Sequence, residues 1–251
     1  MSKQKVAPYG SWKSPITSDM AASATQLTEA LVRGDEIYWR ELRPEQQGRF
    51  TIMKLTADEQ ILEITPPRFN ARTTVHEYGG GSYLVVDDTV YFSNFSDQRI
   101  YRLPHGAQAE PITPKVNMRY ADGIVDQVRN RVICVREDHS DAGHEAVNTI
   151  VTIGLSGEES GQVLVSGNDF YSSPRLNPDG SRLAWLTWNH PNMPWDGNEL
   201  WLGEIKTDGS LAQMEHVAGG SEESVVQPEW SPDGILHFVS DRTGWWNLYR
   251  R

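Results

Sequence analysis

The sequence contains a single cysteine, Cys134, so it cannot form an intramolecular disulfide. Cys134 lies between Ile133 and Val135 in an apolar run, which favours a packed core position over redox chemistry. The first residues also lack the apolar segment of a secretion signal. A chain without disulfides and without such a signal is typical of a reducing compartment, and we predict a cytoplasmic protein.

Long apolar runs and an excess of positive charge are also missing. No apolar stretch approaches the ~20 residues that a membrane-spanning helix needs, so no membrane partner is predicted. The 23 Lys and Arg residues are outnumbered by 34 Asp and Glu residues, which gives a net charge of −11. Such a charge repels phosphate backbones, and no basic run with interleaved aromatic residues offsets it. Nucleic acid is therefore excluded as a predicted partner.

What the sequence does contain is a repeat of strand-like runs. Their apolar centres are residues 52, 100, 150, 200 and 248, so the spacing is about 50 residues. A period of this size in β-type sequence is typical of radially stacked small sheets. We predict an all-β chain that forms a β-propeller of four-stranded blades, with four complete blades and a truncated fifth. The predicted boundaries are an N-terminal segment at 1–27 and blades at about 28–66, 72–114, 119–167, 170–219 and 224–251.

Turn chemistry supports the blade assignment. An Asn-Pro-Asp-Gly turn at 177–180 and a Ser-Pro-Asp-Gly turn at 231–234 each precede an apolar run. Proline presets the φ angle of a type I turn, and glycine accepts the positive φ that follows. Only the segment around 20–31 looks helical, unless it simply leads into the first strand. Either residues 1–27 supply the missing strand of the fifth blade and close a five-bladed ring, or the chain is the front part of a longer protein.

Motifs for catalysis or metal binding are weak. Residues 154–158 lack the last glycine of a G-x-S-x-G nucleophile elbow, and we predict a hairpin loop there. The pair His76-Glu77 does not continue as a zinc-binding helix. Residues 138–145 carry metal-capable side chains but are predicted to form a flexible loop. No catalytic residue, metal or cofactor is therefore predicted within the chain.

Three segments differ from ordinary strands and turns. Residues 72–82 contain three consecutive glycines, which allow a close backbone approach to another surface or simply a tight bend. Residues 188–197 contain two prolines and two tryptophans, which favours contact with a ligand or another domain over packing on its own blade. Residues 241–247 place Arg242 where it binds a ligand carboxylate or, equally, pairs with Asp241 or a neighbouring blade.

The strings at 75–81, 188–197 and 240–249 resemble the N-terminal propeller of bacterial peptidases of the prolyl oligopeptidase family, in the acylaminoacyl-peptidase and dipeptidyl-aminopeptidase branch. Residues 9–17 resemble the N-terminal segment of the same proteins. The resemblance implies a parent protein in which a propeller, commonly of seven blades, is followed by an α/β-hydrolase domain that carries the catalytic Ser, Asp and His. That C-terminal domain is missing from this sequence and is the expected partner.

The resemblance implies a propeller that gates and binds a peptide substrate, from which the parent releases an acylamino acid or a dipeptide. Glu77 is expected at the mouth facing the hydrolase, where its carboxylate pairs with a substrate α-amino group. Trp188, Trp195 and Asp196 are expected at the interface with the missing domain. The full set of substrate-binding or domain-interface candidates is His76, Glu77, Tyr78, Gly79, Gly80, Trp188, His190, Trp195, Asp196, Arg242 and Trp245.

Two other functions stay open at this point. One is a stand-alone propeller that acts as a protein-interaction module without catalysis. The other is a propeller enzyme with a calcium ion in its central channel, which ranks last because no acidic set recurs at one strand position. A homo-oligomer is left open.

Overall fold

The computed structural model describes residues 6–155, 157 and 159–251, and the chain divides into two compact units, Met1–Arg68 and Phe69–Arg251. Antiparallel strands are the main regular secondary structure of both units, so the all-β prediction is confirmed. The predicted hairpin loop at 154–158 includes Ser156 and Glu158, which lie outside the described residues. The helices in the described part of the chain are too short to span a bilayer.

The first unit holds one antiparallel sheet in which the strands pair in chain order. A short helix precedes it, and the Thr17 side chain accepts a hydrogen bond from the Met20 amide at the helix start. The elements are α1 (Ser18–Ala22), β1 (Gln26–Arg33), β2 (Glu36–Arg43), β3 (Arg49–Leu55) and β4 (Ile61–Glu63), with a 3₁₀ turn at Pro44–Gln46.

Of the two predictions for residues 20–31, a helix or a lead into the first strand, the structure has the second for most of the segment. The helix ends at Ala22, and Leu31 and Val32 pair with Tyr38 and Ile37 of β2. The backbone ladder with β2 outweighs local helix propensity, which is a weak preference. Residues 6–25 contain α1 and no strand, so they do not supply the fourth strand of a fifth blade.

The second unit holds four more sheets, each an antiparallel meander in chain order. Three of them have four strands, and the fifth blade has three strands in the described part of the chain, as predicted for a truncated blade. The strands are β5 (Tyr83–Val86), β6 (Thr89–Ser93), β7 (Ile100–Pro104), β8 (Glu110–Pro111), β9 (Met118–Asp126), β10 (Arg131–Asp138), β11 (Val147–Gly154), β12 (Gln162–Val165), β13 (Phe170–Leu176), β14 (Arg182–Trp188), β15 (Glu199–Ile205), β16 (Leu211–Gly219), β17 (Val225–Trp230), β18 (Leu236–Ser240) and β19 (Asn247–Arg250).

The sheet of β9–β12 buries both of its faces. In β10, Val132 and Cys134 pack toward the sheet of β5–β8, while Ile133 and Val135 pack toward the sheet of β13–β16. This alternation follows from the two-residue period of a strand. Burial raises the pKa of the Cys134 thiol to about 12, so Cys134 is an unreactive core residue, as expected from the sequence.

The first strand of three blades in this unit carries a β-bulge with a residue at positive φ. These residues are Asp122 (φ 54°), Ser173 (φ 50°) and Gln227 (φ 54°). The Asp122 carboxylate accepts the Gly81 amide at 2.5 Å and the Ser173 amide at 3.0 Å. One bulge residue therefore ties the segment before β5 to β9 and β13.

Candidate functional site

Three successive blades of the second unit enclose a cleft of about 680 Å³. The segment before β5, the β10–β11 loop and the region around the start of β13 and the end of β14 contribute its walls. His76, Glu77, Tyr78, Trp188 and His190 line it. Two of the three family-like strings, which are distant in sequence, therefore meet at one site.

A tight turn before β5 directs His76 and Glu77 into this site. Val75 is fully buried in the core, and the next two residues adopt φ values of 55° and 63°. Such angles are uncommon for residues other than glycine and are retained only where surrounding contacts enforce them. Here the Glu77 amide donates to the Thr74 carbonyl at 3.0 Å, and the His76 amide donates to a Glu137 carboxylate oxygen at 2.5 Å.

The three glycines that follow serve close packing within the protein. A Cβ atom on Gly80 would lie 3.0 Å from the Ala121 Cβ, and one on Gly81 would lie 2.9 Å from Asp122 Oδ1. Gly79 has a φ of 95° and donates its amide to the Val75 carbonyl. The surface that Gly80 and Gly81 approach is therefore strand β9.

Arg119 on β9 holds two carboxylates of the cleft. Its Nη1 atom lies 2.6 Å from Glu77 Oε1 and 3.6 Å from Glu137 Oε2, and it donates to the Thr74 carbonyl at 2.8 Å. The Glu77 side chain is 81% exposed and that of Glu137 only 5%. The hydrogen bond from Arg119 lowers the pKa of Glu77, so this carboxylate is ionised at neutral pH.

Two more carboxylates, those of Asp169 and Glu145, lie near His190 on another wall of the cleft. Asp169 Oδ2 accepts hydrogen bonds from the His190 amide at 2.9 Å and pairs with its Nδ1 atom at 3.1 Å. The bond from the His190 amide is the main reason why the pKa of Asp169 is lowered. Glu145 Oε2 lies 3.9 Å from His190 Nε2.

The cleft therefore has a strongly acidic lining. Glu77, Glu137, Glu145 and Asp169 line it, and no lysine or arginine is among its described lining residues. Arg119 compensates part of this charge through its two contacts. Clustered carboxylates in a concave site favour a cationic ligand. In the described part of the chain, no group of three or more His, Cys, Asp or Glu side chains is arranged to hold a metal ion.

Aromatic rings form the floor of the same cleft. The ring centroid of His76 lies 5.1 Å from that of Trp188 and 5.7 Å from that of Phe170. Phe170 stacks on Trp188 at 5.4 Å and 17°, and it lies 5.0 Å from His190. Burial lowers the pKa of His76, so its imidazole is neutral at pH 7 and acts as one more aromatic surface.

Trp188 has little surface available for a second domain, because it is only 4% exposed and packs within the floor. Trp195 is 60% exposed, and Asp196 accepts the Met193 amide at 3.2 Å. Trp195 and Asp196 lie in the loop that follows Trp188, the last residue of β14, and outside the lining of the cleft.

The third family-like string lies elsewhere, in the β18–β19 hairpin. Arg242 pairs with Glu223 at 2.9 Å, and its guanidinium stacks over the Tyr249 ring at 4.5 Å. Pairing with Asp241, one of the options left open, is not what the structure has, because Asp241 instead accepts the Ser224 amide. Trp245 is 80% exposed.

Sequence reasoning missed several residues that complete the cleft. Arg119, Glu137 and Asp169 were not among the candidates, and neither was Phe170. Glu137 did carry a signal, since it is a charged residue that continues the apolar run of β10. His139, His144 and Glu145 belong to the predicted flexible loop at 138–145, and all three line the cleft.

Comparison with known proteins finds close matches among solved structures. No protein-family model and no curated protein sequence matches the chain. A puromycin-hydrolysing peptidase of Mycobacterium tuberculosis is 38% identical, with a TM-score of 0.87 over 98% of this chain and 40% of that one. A puromycin hydrolase is 34% identical, with a TM-score of 0.86 over 98% of this chain and 40% of that one.

A third protein shares the fold alone. The acylaminoacyl peptidase of Pyrococcus horikoshii is 12% identical, with a TM-score of 0.56 over 92% of this chain and 45% of that chain. The chain thus spans about 40% of the length of the two puromycin-hydrolysing proteins.

Proposed function

We propose that the cleft of this chain binds the free amino end of a peptide substrate. The chain belongs to the prolyl oligopeptidase family and corresponds to a β-propeller portion of puromycin-hydrolysing peptidases. The chain supplies access and substrate binding, and the remainder of such a peptidase supplies the serine that attacks the peptide bond. The substrate would be a short peptide from which an N-terminal unit is released.

The observation that carries this proposal is the acidic lining of the cleft. A peptide α-amino group has a pKa near 8 and is largely protonated at neutral pH. The protonated amine donates hydrogen bonds to carboxylate oxygens. Glu77 is 81% exposed in the cleft and ionised, and a carboxylate has room for more hydrogen bonds than the one it accepts from Arg119.

The same lining favours a free amine over an acylated one. An N-acylated peptide carries no charge at its first residue and would leave the carboxylates of the cleft without a cation to compensate them. Of the two products implied by the family resemblance, the release of a unit with a free amino group therefore fits this cleft better than the release of an acylamino acid. Holding the ammonium at one point also sets how far the peptide extends toward an attacking serine.

The test compares trialanine amide with its N-acetyl form by isothermal titration calorimetry on the 251-residue chain. We expect the free-amine peptide to bind and Glu77→Gln to weaken its binding by about three- to tenfold, which corresponds to about 0.7–1.4 kcal/mol, the usual net contribution of one hydrogen bond. Glu77→Gln should leave the acetylated peptide unaffected.

Glu229→Gln is the matched control for charge. Glu229 is 62% exposed and pairs with Arg175 at 2.8 Å, and it is not part of the cleft. The proposal fails if the two peptides bind equally well to the wild-type chain, or if Glu77→Gln and Glu229→Gln have the same effect.

A further inference from the structure

We propose that the β10–β11 loop, residues 139–146, is a gate of the cleft that closes when His190 is protonated and opens when His190 is neutral. Part of this loop lines the cleft, namely His139, His144, Glu145 and Ala146. The inference concerns access to the cleft, whatever the ligand, and so goes beyond the proposed function. It is carried by the position of the His190 imidazole between a carboxylate of this loop and a carboxylate beside β13.

His190 has one fixed carboxylate and one movable one. Asp169 Oδ2 lies 3.1 Å from His190 Nδ1 and also accepts the His190 amide at 2.9 Å, so the backbone holds this pair in place. On the other side of the ring, Glu145 Oε2 lies 3.9 Å from Nε2. A hydrogen bond between nitrogen and oxygen is about 2.7–3.2 Å long. The loop therefore lies within about 1 Å of a hydrogen bond that it does not yet make.

Protonation of the ring decides whether Nε2 attracts or repels Glu145. A neutral imidazole carries one N–H group, and the ionised Asp169 carboxylate keeps it on Nδ1. Nε2 then presents a lone pair to the Glu145 carboxylate, and two acceptors repel each other. The protonated ring has N–H groups on both nitrogens and a positive charge, so it bridges Asp169 and Glu145. Since histidine side chains change charge between pH 5 and 8, the gate would respond within this range.

The loop is anchored at both of its ends. At its start, the His139 amide donates to the Asn117 carbonyl at 2.9 Å, and the Asn117 side chain donates to the His139 carbonyl at 2.6 Å. At its end, the Asn148 side chain donates to the Ala146 carbonyl at 3.4 Å. Among the ion pairs of the described residues, the 3.9 Å contact is the one that links residues 140–145 to the β14–β15 loop. A span that is fixed at its ends and tied to a neighbouring loop through one titratable contact can move as a gate.

The other titratable groups around the contact do not replace His190. Those that line the cleft, or the smaller cavity that His190 also lines, are His76, Glu77, Tyr78, Glu137, His139, His144 and Glu199. His139 pairs with Glu137 at 3.0 Å and His144 pairs with Asp141 at 2.8 Å, so both histidines have carboxylates of their own. No lysine or arginine is among the described residues that line either cavity. Protonation of His190 therefore supplies the positive charge between the loop and the opposite wall.

Spin labelling of the loop tests the gate without any ligand. Ala142 is exposed, so Ala142→Cys provides a site for a methanethiosulfonate nitroxide on the 251-residue chain. The native Cys134 is buried and its thiol pKa is raised to about 12, so it should not react. From pH 8 to pH 5.5, we expect the ratio of immobilised to mobile label to rise about two- to fivefold, the range for a partly exposed ion pair. This rise should shrink in 0.5 M NaCl.

Three substitutions in the labelled chain identify the group that is responsible. His190→Gln and Glu145→Gln should abolish the pH dependence, because each removes one partner of the contact. His105→Gln is the control, because His105 is exposed and lies outside the cleft, and it should leave the pH dependence unchanged. The pH titration of the labelled parent leaves the contact itself intact, so it stays decisive even where a variant fails to fold.

Each contrary result overturns the gate. A label whose mobility is the same at pH 8 and pH 5.5 shows that the loop does not respond to protonation. A change that persists in both His190→Gln and Glu145→Gln, or that disappears equally in His105→Gln, assigns the response to another group. None of these results bears on the binding of a free amino end, which the calorimetry with trialanine amide tests separately.

Discussion

Glu77 and Glu137 bind the same arginine but differ in exposure, and this difference predicts how much each contributes to stability. Each becomes a neutral amide of nearly the same shape in Glu77→Gln and Glu137→Gln. The Glu77 side chain is 81% exposed, and exposed ion pairs contribute about 0.2–1 kcal/mol. We therefore expect Glu77→Gln to lower the free energy of unfolding by about 0.5 kcal/mol.

Glu137→Gln should cost considerably more. The Glu137 side chain is 5% exposed and contacts the His76 amide at 2.5 Å, His139 Nε2 at 3.0 Å and Arg119 at 3.6 Å. A glutamine oxygen can still accept the His76 amide, but the new amide N–H groups then face the Arg119 guanidinium. Loss of a charge-assisted contact in a buried position costs about 2 kcal/mol.

Urea unfolding followed by tryptophan fluorescence measures both values, at low salt and again at 0.5 M NaCl. Salt should remove most of the Glu77 effect and little of the Glu137 effect, because buried charges are poorly screened. Glu229→Gln, at an exposed pair with Arg175, should behave like Glu77→Gln. Equal costs for Glu77→Gln and Glu137→Gln would refute the reasoning from exposure.

Two further predictions concern the turn that holds the site. Burial lowers the pKa of His76, so the unfolded chain binds more protons at this residue and the free energy of unfolding falls as the pH drops below about 6.5. His76→Phe should therefore reduce the stability loss between pH 7 and pH 5.5, and an unchanged pH dependence of urea unfolding would contradict this. Gly81→Ala should lower the free energy of unfolding by about 1–3 kcal/mol in thermal unfolding, because the new Cβ would lie 2.9 Å from Asp122 Oδ1. Gly220→Ala is the control and should have almost no effect, because no atom lies within 4 Å of its new Cβ.

Much of the fold was predictable because strands leave local marks in the sequence. The 50-residue spacing of apolar runs, the turn at 177–180 and the apolar surroundings of Cys134 all reflect interactions within one blade. The sequence left the segment at 20–31 open between a helix and a lead into the first strand, because its strand depends on pairing with β2, and that partner outweighs a weak local preference.

The candidate site was only partly predictable, for a related reason. The string around Glu77 and the string around Trp188 were each unusual on their own, and both do line the cleft. Arg119 carries no such pattern, and Glu137 carries only the weak one of a charged residue that continues the apolar run of β10. The importance of both lies in contacts with residues far away in sequence. Glu137, for example, accepts the amide of His76, which is 61 positions away.

The sequence by itself determined the β-blade architecture, the absence of disulfides, the acidic charge and the family resemblance, because each depends on composition, spacing or local strings. Only the tertiary structure decided that Glu77 shares Arg119 with a buried carboxylate, that the Trp188 side chain is buried and that Arg242 pairs with Glu223. The physical reason is that hydrogen bonds and ion pairs between blades depend on which side chains the packing brings within about 3 Å, and no local pattern records that distance.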